Sequence, residues 1–117
     1  MSFAADIIIG FIALQHICFL VLEMFLWDKP AGLKVFGNNK ESARYSKVLA
    51  ANLGLYNGFL AAGLIWGLAL GSSGYSIKVF FLGCISAAGI FGGMTANRKI
   101  LYIQAFPAMT GLALLLL

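Results

Sequence analysis

The sequence predicts an all-α membrane protein, an antiparallel bundle of four transmembrane helices with both termini outside the cytoplasm. Three observations predict it: the composition, four long apolar runs, and the placement of the basic residues. Hydrophobic residues make up 62 % of the 117-residue chain and charged residues only 10 %, whereas soluble domains have about 45–50 % and about 25 %. A chain this short could not bury so much apolar surface in water, so lipid is its expected solvent.

The four apolar runs predict the membrane spans. A helix needs about 20 apolar residues to cross a bilayer, and four runs have about this length: residues 4–27, 48–70, 77–96 and 100–117. Each is expected to be helical, because a segment in hydrocarbon has to satisfy its backbone hydrogen bonds internally. We therefore predict one transmembrane domain over residues 1–117, with its only long loop at residues 28–47.

The long loop combines basic and apolar residues. Leu33 and Val35 flank Lys34, a pattern that favours a segment lying on the headgroup layer. From Lys40 onward the loop is expected to be helical already, with Asn39 as the N-terminal cap.

The basic residues predict the topology. Seven of the eight lie in two loops, namely Lys29, Lys34, Lys40, Arg44 and Lys47 in one and Arg98 and Lys99 in the other. Because cytoplasmic loops carry an excess of Lys and Arg, both loops are expected in the cytoplasm. Lys78, near the start of the third span, is expected to extend its stem and keep its amine in the outer headgroups. The N-terminus carries Asp6 and lacks the basic leader of a signal peptide, so the first run is expected to remain as a span.

Charge and cysteine content exclude several functions. The net charge of +4 comes without any nucleic-acid recognition motif, so no nucleic-acid partner is expected. Two cysteines and one histidine give no metal-ligand spacing, and we expect neither a metal nor a cofactor.

Glycines at four-residue spacing predict helix packing. They fall on one helix face, where a small residue lets a neighbouring backbone come close. The glycines concerned are Gly54, Gly58, Gly63 and Gly67 in the second span and Gly89 and Gly93 in the third. Packing inside the monomer is the simpler interpretation, and self-association into a homo-oligomer is the alternative.

Polar side chains inside the spans concentrate in the predicted cytoplasmic half. In the first span, His16 and Glu23 are seven residues apart, nearly two turns, and so share a face. An isolated carboxylate in hydrocarbon is costly, so Glu23 is expected to be neutral, paired or facing water. The predicted topology brings further polar residues to a similar depth. The resulting candidate pocket consists of Glu23, Asn52, Tyr56, Asn57, Gln104 and His16.

This polar layer has two main interpretations, and a chance placement of these side chains toward lipid is the third. It is a structural network, in which Glu23 bonds to Asn52, Tyr56 or Gln104 at about 0.6 kcal/mol per bond, or it is a ligand or proton pocket open to the cytoplasm. His16 is correspondingly either a hydrogen-bonded core residue or a proton relay.

Three stretches, LEMFLWDKPAGLKVFG, LAANLGLYNGFLAAGL and FFLGC…AGIFGGMT…ILYIQAFPA, resemble the bacterial membrane family called domain of unknown function 1304. The likeness covers nearly the whole chain and includes its polar residues, among them His16, Glu23, Trp27, Asn52, Tyr56, Asn57, Gln104 and Pro107. Two positions depart from the family pattern, since Gln15 stands where Glu is common and Leu53 where Gln is common. The resemblance implies a four-helix protein of the bacterial inner membrane and is silent on chemistry.

The sequence thus favours a small transporter or a ligand- or proton-binding protein whose ligand is unknown. The alternative is a structural or accessory protein whose polar layer only specifies helix packing. An enzyme acting on a lipid-like substrate is least favoured, because no metal cluster, second histidine or phosphate-binding loop accompanies Glu23.

Overall fold

The computed structural model describes residues 3–117, which form helices and short connections without a strand in that range. The α-helices are α1 (Phe3–Met24), α2 (Pro30–Phe36), α3 (Lys40–Ala69), α4 (Tyr75–Thr95), α5 (Arg98–Ile100) and α6 (Phe106–Leu116). A 3-10 turn, Gly71–Gly74, precedes α4, and a π-helical turn, Leu101–Ala105, joins α5 to α6.

Four helical segments of the described chain are long and apolar enough to cross a membrane: Phe3–Met24, Lys40–Ala69, Gly71–Thr95 and Arg98–Leu116. All four leave large apolar side chains uncovered. Phe11, Phe59, Phe80 and Phe106 are each between 57 and 68 % exposed, which would be costly in water and is expected in lipid. The four predicted spans are therefore confirmed as helices of spanning length.

The second of these helices begins well before its apolar part. The backbone N–H of Ser42 donates to Oδ1 of Asn39 at 2.8 Å, which is the contact that an N-terminal cap makes to the third helical residue. The prediction that the helix starts at Lys40 under an Asn39 cap is confirmed.

The chain divides into two compact units. The terminal unit contains Ala62–Leu117 and the chain up to Ala13, and the central unit is Leu14–Ala61. In the terminal unit, α4 packs against the π turn and α6. Its core includes Ile9, Leu82 and Ala108, none of which is exposed to solvent.

The π turn ends at Ala105, two residues before Pro107. A proline ring clashes with the carbonyl four residues back and offers no N–H to it. Here the N–H of Phe106 bonds to the carbonyl of Leu101, five residues earlier, which widens the turn where the clash would fall. The fourth span can therefore continue through the proline.

In the central unit, Trp27 joins α2 to α3. Its Nε1 donates to Oγ of Ser46 at 3.1 Å, and its ring lies 4.9 Å from that of Phe36. Gly32 is buried against the Leu26 carbonyl, where no side chain would fit. Gly37, in the left-handed region with φ 69°, ends α2 as glycine commonly does. These contacts join the long loop to α3.

Candidate functional site

Glu23 lies in the last turn of α1 and is half-buried. The side-chain amide of Asn57, on α3, donates to Oε1 of Glu23 at 2.5 Å. Gly54 makes this approach possible, because it is three residues before Asn57 and so on nearly the same helix face. A Cβ atom added to Gly54 would lie 3.0 Å from Cβ of Glu23 and 2.7 Å from Cγ of Met24. Within the predicted spans, the carboxyl group of Glu23 is therefore held by the side-chain amide of Asn57.

This pair leaves the charge of Glu23 uncompensated. In the described range 3–117, no Lys or Arg nitrogen lies within 4 Å of its carboxyl group. A neutral amide satisfies a lone pair but does not neutralise a carboxylate, and an ionised carboxylate without a cation is costly in an apolar medium. The group is thus suited to hold a proton or to meet a cationic ligand.

Asn52 and Tyr56, two of the alternatives predicted as hydrogen-bond partners of Glu23, make their described contacts elsewhere. The amide of Asn52 donates to the carbonyl of Val48 in its own helix at 2.8 Å. Tyr56 is 53 % exposed, with its ring beside that of Phe59. At about 100° per residue, both lie about 160° from Gly54 around α3. They face away from the side of α3 that contacts Glu23, and the partner of Glu23 is Asn57.

His16 is completely buried in the central unit. Its ring packs edge-on against that of Phe19, with centroids 5.3 Å apart. Gln104 belongs to the terminal unit, where it is half-buried on the π turn. The predicted roles of His16 and Gln104 stay predictions.

The terminal unit holds a charged pair that the sequence analysis missed. Nζ of Lys78 lies 2.9 Å from Oδ1 of Asp6, and 3.4 Å from the carbonyl oxygen of Gly71. The side chain of Lys78 is fully buried, while that of Asp6 is 36 % exposed. The expectation that Lys78 reaches into the outer headgroups is therefore wrong. Its stem lies against Gly67, where an added Cβ would come within 2.8 Å of Cγ of Lys78.

A signal for this pair is present in the sequence. Asp6 and Lys78 each lie three residues into a helix, α1 and α4 respectively. The predicted topology puts both helix starts at the same side of the membrane. Because Asp6 and Lys78 carry opposite charges at matching depth, the sequence could have predicted an ion pair between them. The sequence analysis instead predicted that Lys78 contacts the headgroups.

The six glycines selected from spacing each lie near another part of their own unit. Cβ atoms added to them would contact Met24 and Glu23 at Gly54, Leu20 at Gly58, the Phe81 ring at Gly63, Lys78 at Gly67, Ala105 at Gly89 and Leu101 at Gly93. At Gly89 the neighbour is backbone, 2.6 Å from the added atom, whereas at Gly58 it is the end of a flexible side chain. Their close approaches occur within one chain.

At the loop end of the central unit, charges are exposed. Nζ of Lys47 donates to Oδ2 of Asp28 at 3.1 Å. This hydrogen bond holds the pKa of Asp28 below its usual value. The carboxylate therefore stays ionised at neutral pH and is already bound to a cation.

Four helices of spanning length, exposed apolar side chains and polar groups inside the spans define a small multi-pass membrane protein. Residues 10–116 match the family described as "Protein of unknown function (DUF1304)", and the chain belongs to this family. It is 32 % identical over 108 residues to "Uncharacterized protein YpaA" of Lactococcus lactis subsp. lactis (strain IL1403), a match that covers 91 % of this chain and 87 % of the relative. No solved structure matches the chain significantly.

Proposed function

We propose that the chain is a small membrane protein that binds a proton or a small cationic ligand at Glu23, in the manner of a small transporter. One observation carries the proposal: the carboxyl group lies in a spanning helix and its bonded partner is the neutral amide of Asn57. Ionisable groups inside membrane spans are costly to keep and commonly mark ion or substrate pathways.

The chemistry follows from the donor and acceptor inventory. In the protonated state, Glu23 still accepts from Asn57 through the same carbonyl-type oxygen, so the pair survives both protonation states. Loss of the proton creates a negative charge that a cation can neutralise. Asn57 is a positioning residue, because it fixes the carboxyl against α3 without supplying charge.

The topology is part of this proposal. We place both termini outside the cytoplasm, in a bacterial inner membrane, with residues 28–47 in the cytoplasm. The supporting observation is the seven basic residues in the two loops against Lys78 elsewhere. An antiparallel α1 and α3 is supported by the contacts of Leu20 with Gly58 and of Glu23 with Gly54, because the numbering runs in opposite directions. Glu23 is then near the cytoplasmic end of its span.

The second candidate function is structural. The bond between Glu23 and Asn57 and the close approach at Gly54 would then serve only to fix the packing of α1 on α3. In that case the charge of Glu23 is irrelevant, and an uncharged side chain of the same shape should serve equally well.

Glu23→Gln separates the two candidates, because it keeps the shape and a hydrogen-bonding oxygen and removes only the titratable group. The wild type and the variant would be reconstituted in liposomes loaded with a pH-sensitive dye and subjected to a pH jump. We expect faster proton equilibration with the wild type than with the variant, while both keep the same melting temperature in detergent. Glu41→Gln is the matched control, since Glu41 is exposed at the start of α3.

A chemical probe gives a second measurement. Dicyclohexylcarbodiimide reacts with carboxylic acids in apolar surroundings and would label Glu23 of the wild type, more slowly as the pH rises. The packing-only function is supported if Glu23→Gln matches the wild type in proton equilibration and the wild type takes up no label. The binding function is abandoned in that event.

A further inference from the structure

The long loop forms a basic cleft at the membrane boundary of the central unit. Between the end of α1 and the start of α3 lies a cleft of about 590 Å³ lined by Lys29, Lys34 and Lys40 together with Pro30, Leu33 and Asn38. Asp28 also borders it. This cleft is separate in sequence from Glu23 and Asn57, and neither of them lines it.

The charge of the cleft is strongly one-sided. Its single carboxylate, Asp28, is bound to Lys47 at 3.1 Å, and Lys47 is not among the lining residues. In the described part of the chain, none of the three lining ammonium groups has a carboxylate within 4 Å. Three lysines therefore line the cleft together with one carboxylate, which is already paired with Lys47.

The helices that border the cleft are joined by contacts of their own. Trp27 donates a hydrogen bond to Ser46 and its ring packs at a tilt against that of Phe36, which ties α2 to α3. Gly37 ends α2 and Asn39 caps α3. Lysines on a preorganised frame lose less conformational freedom on binding a ligand than lysines on a free loop.

The position indicates the source of the anion. The cleft lies where α1 ends and before the apolar part of α3 begins, so it is at headgroup depth. The exposed side of α2 carries Val35, 58 % exposed, beside the exposed Lys34. An apolar and a basic residue side by side on an exposed surface suit the boundary between acyl chains and phosphates.

We propose that this cleft binds the phosphate headgroup of an anionic phospholipid, with Lys29, Lys34 and Lys40 around the phosphate and Pro30 and Leu33 against the glycerol end. Lysine binds phosphate as a point charge, and clustered lysines at the end of a span attract anionic lipid. This site is independent of the proposed function of Glu23.

The test compares two double variants that remove the same charge. Lys34→Gln with Lys40→Gln removes two cleft lysines, and Arg98→Gln with Lys99→Gln removes two basic residues that do not line the cleft. Phosphatidylglycerol and phosphatidylcholine of equal chain length would be titrated onto the detergent-purified proteins, with bound lipid counted by native mass spectrometry. The wild type should prefer phosphatidylglycerol. The cleft variant should lose about 25-fold in affinity for it, at about fivefold for each of the two lysines removed near an anionic headgroup, and the control should stay within about twofold.

Two further measurements make the result decisive. The Lys34→Arg, Lys40→Arg variant keeps the charge and should keep most of the lipid preference, and the melting temperature of each variant shows that it is folded. Equal losses in both double variants, or no loss in either, would overturn the proposal. Inorganic phosphate should displace the lipid no better than chloride of the same ionic strength. If phosphate displaces it specifically, the cleft is a site for a free anion and the lipid assignment fails.

Discussion

The two units of the chain differ in the partner that they give to an ionisable side chain inside a predicted span. In the terminal unit, the ammonium of Lys78 is fully buried and meets the carboxylate of Asp6 at 2.9 Å. In the central unit, the hydrogen-bond partner of the Glu23 carboxyl among the described residues is the neutral amide of Asn57. The first arrangement cancels the charge internally, whereas the second leaves it to be cancelled by a proton or by something that binds.

The difference teaches which intramembrane charge to regard as functional. Cost alone does not decide the matter, because both groups are expensive to place in an apolar medium. An internally neutral pair has no need of an exchangeable partner, and so Asp6 and Lys78 are best explained as structure. Glu23 has that need, and the proposed function rests on it.

The largest expected effect is at Asp6. Asp6→Asn removes the negative charge and leaves the fully buried Lys78 ammonium with neutral acceptors alone, the new amide oxygen and the Gly71 carbonyl at 3.4 Å. Breaking one side of a buried ion pair costs about 3–5 kcal/mol, and we expect about 3 kcal/mol because Asp6 is 36 % exposed. The free energy of unfolding in detergent micelles measures it.

The double variant Asp6→Asn, Lys78→Met is the control for that measurement. Removing both charges removes the uncompensated ammonium, so most of the lost stability should return. A single Asp6→Asn variant as stable as the wild type would show that the ion pair does not stabilise the fold. The charge of Lys78 could then no longer be contrasted with that of Glu23 as one that is neutralised for structural reasons.

The next effect compares glycines. Gly89→Ala places a Cβ 2.6 Å from the backbone nitrogen of Ala105, so α4 and the π turn have to separate, at about 1–3 kcal/mol. Gly83→Ala, also in α4 but with nothing within 4 Å, should be neutral or stabilising by up to about 1 kcal/mol through helix propensity. Thermal unfolding of the two variants measures the difference.

In the central unit the same substitution should cost less. An alanine at Gly58 meets only the side chain of Leu20, whose Cδ1 lies 2.5 Å from the added atom and can rotate away. Equal losses at Gly58 and Gly89 would show that side-chain and backbone neighbours are equally rigid here, contrary to the contacts.

The sequence allowed prediction of the helices more readily than of their contacts. Run length and composition identify the four spans. The Asn39 cap is a local pattern, because the capping side chain bonds to a backbone N–H only three residues away. Glu23 could be singled out because any carboxylate in an apolar run is anomalous. None of these inferences requires knowledge of how one helix is rotated against another.

The sequence did not predict how each helix is rotated about its own axis. Depth along the membrane groups Asn52, Tyr56 and Asn57 together, yet only Asn57 lies near the face of α3 that Gly54 opens toward Glu23. Treating Gly54 as the contact point would have selected Asn57, because residues three apart are neighbours on a helix. Lys78 was expected to extend toward the headgroups, as lysines near span ends commonly do. Its actual partner, Asp6, is 72 residues away in the chain, so local sequence did not indicate it.

A smaller effect should come from Asn57→Leu. It removes the donor to Glu23 while keeping side-chain volume, and intramembrane hydrogen bonds contribute about 0.6 kcal/mol on average, with about 1.7 kcal/mol as the largest values. We expect about 1 kcal/mol in unfolding free energy. Asn52→Leu is the matched control, because the Asn52 amide bonds only within its own helix, and it should be neutral. A cycle with Glu23→Leu, which removes the accepting oxygen, isolates the coupling, and a coupling of zero would remove Asn57 as the positioning residue.

The smallest effect should be at the exposed pair of Asp28 and Lys47, which completes the comparison by placing opposite charges in water. Hydrogen bonding to Lys47 lowers the pKa of Asp28 below 3.8, so any stabilisation is present above that value and disappears as the pH falls through the lowered pKa. Asp28→Asn should therefore shift the melting temperature only slightly at neutral pH and not at all in strong acid. Both side chains retain solvent, 55 % for Lys47 and 26 % for Asp28, and exposed pairs contribute little. A loss at Asp28 as large as that at Asp6 would mean that burial of Lys78 does not set the size of the effect, and that the contrast between a cancelled and an uncancelled charge needs another cause.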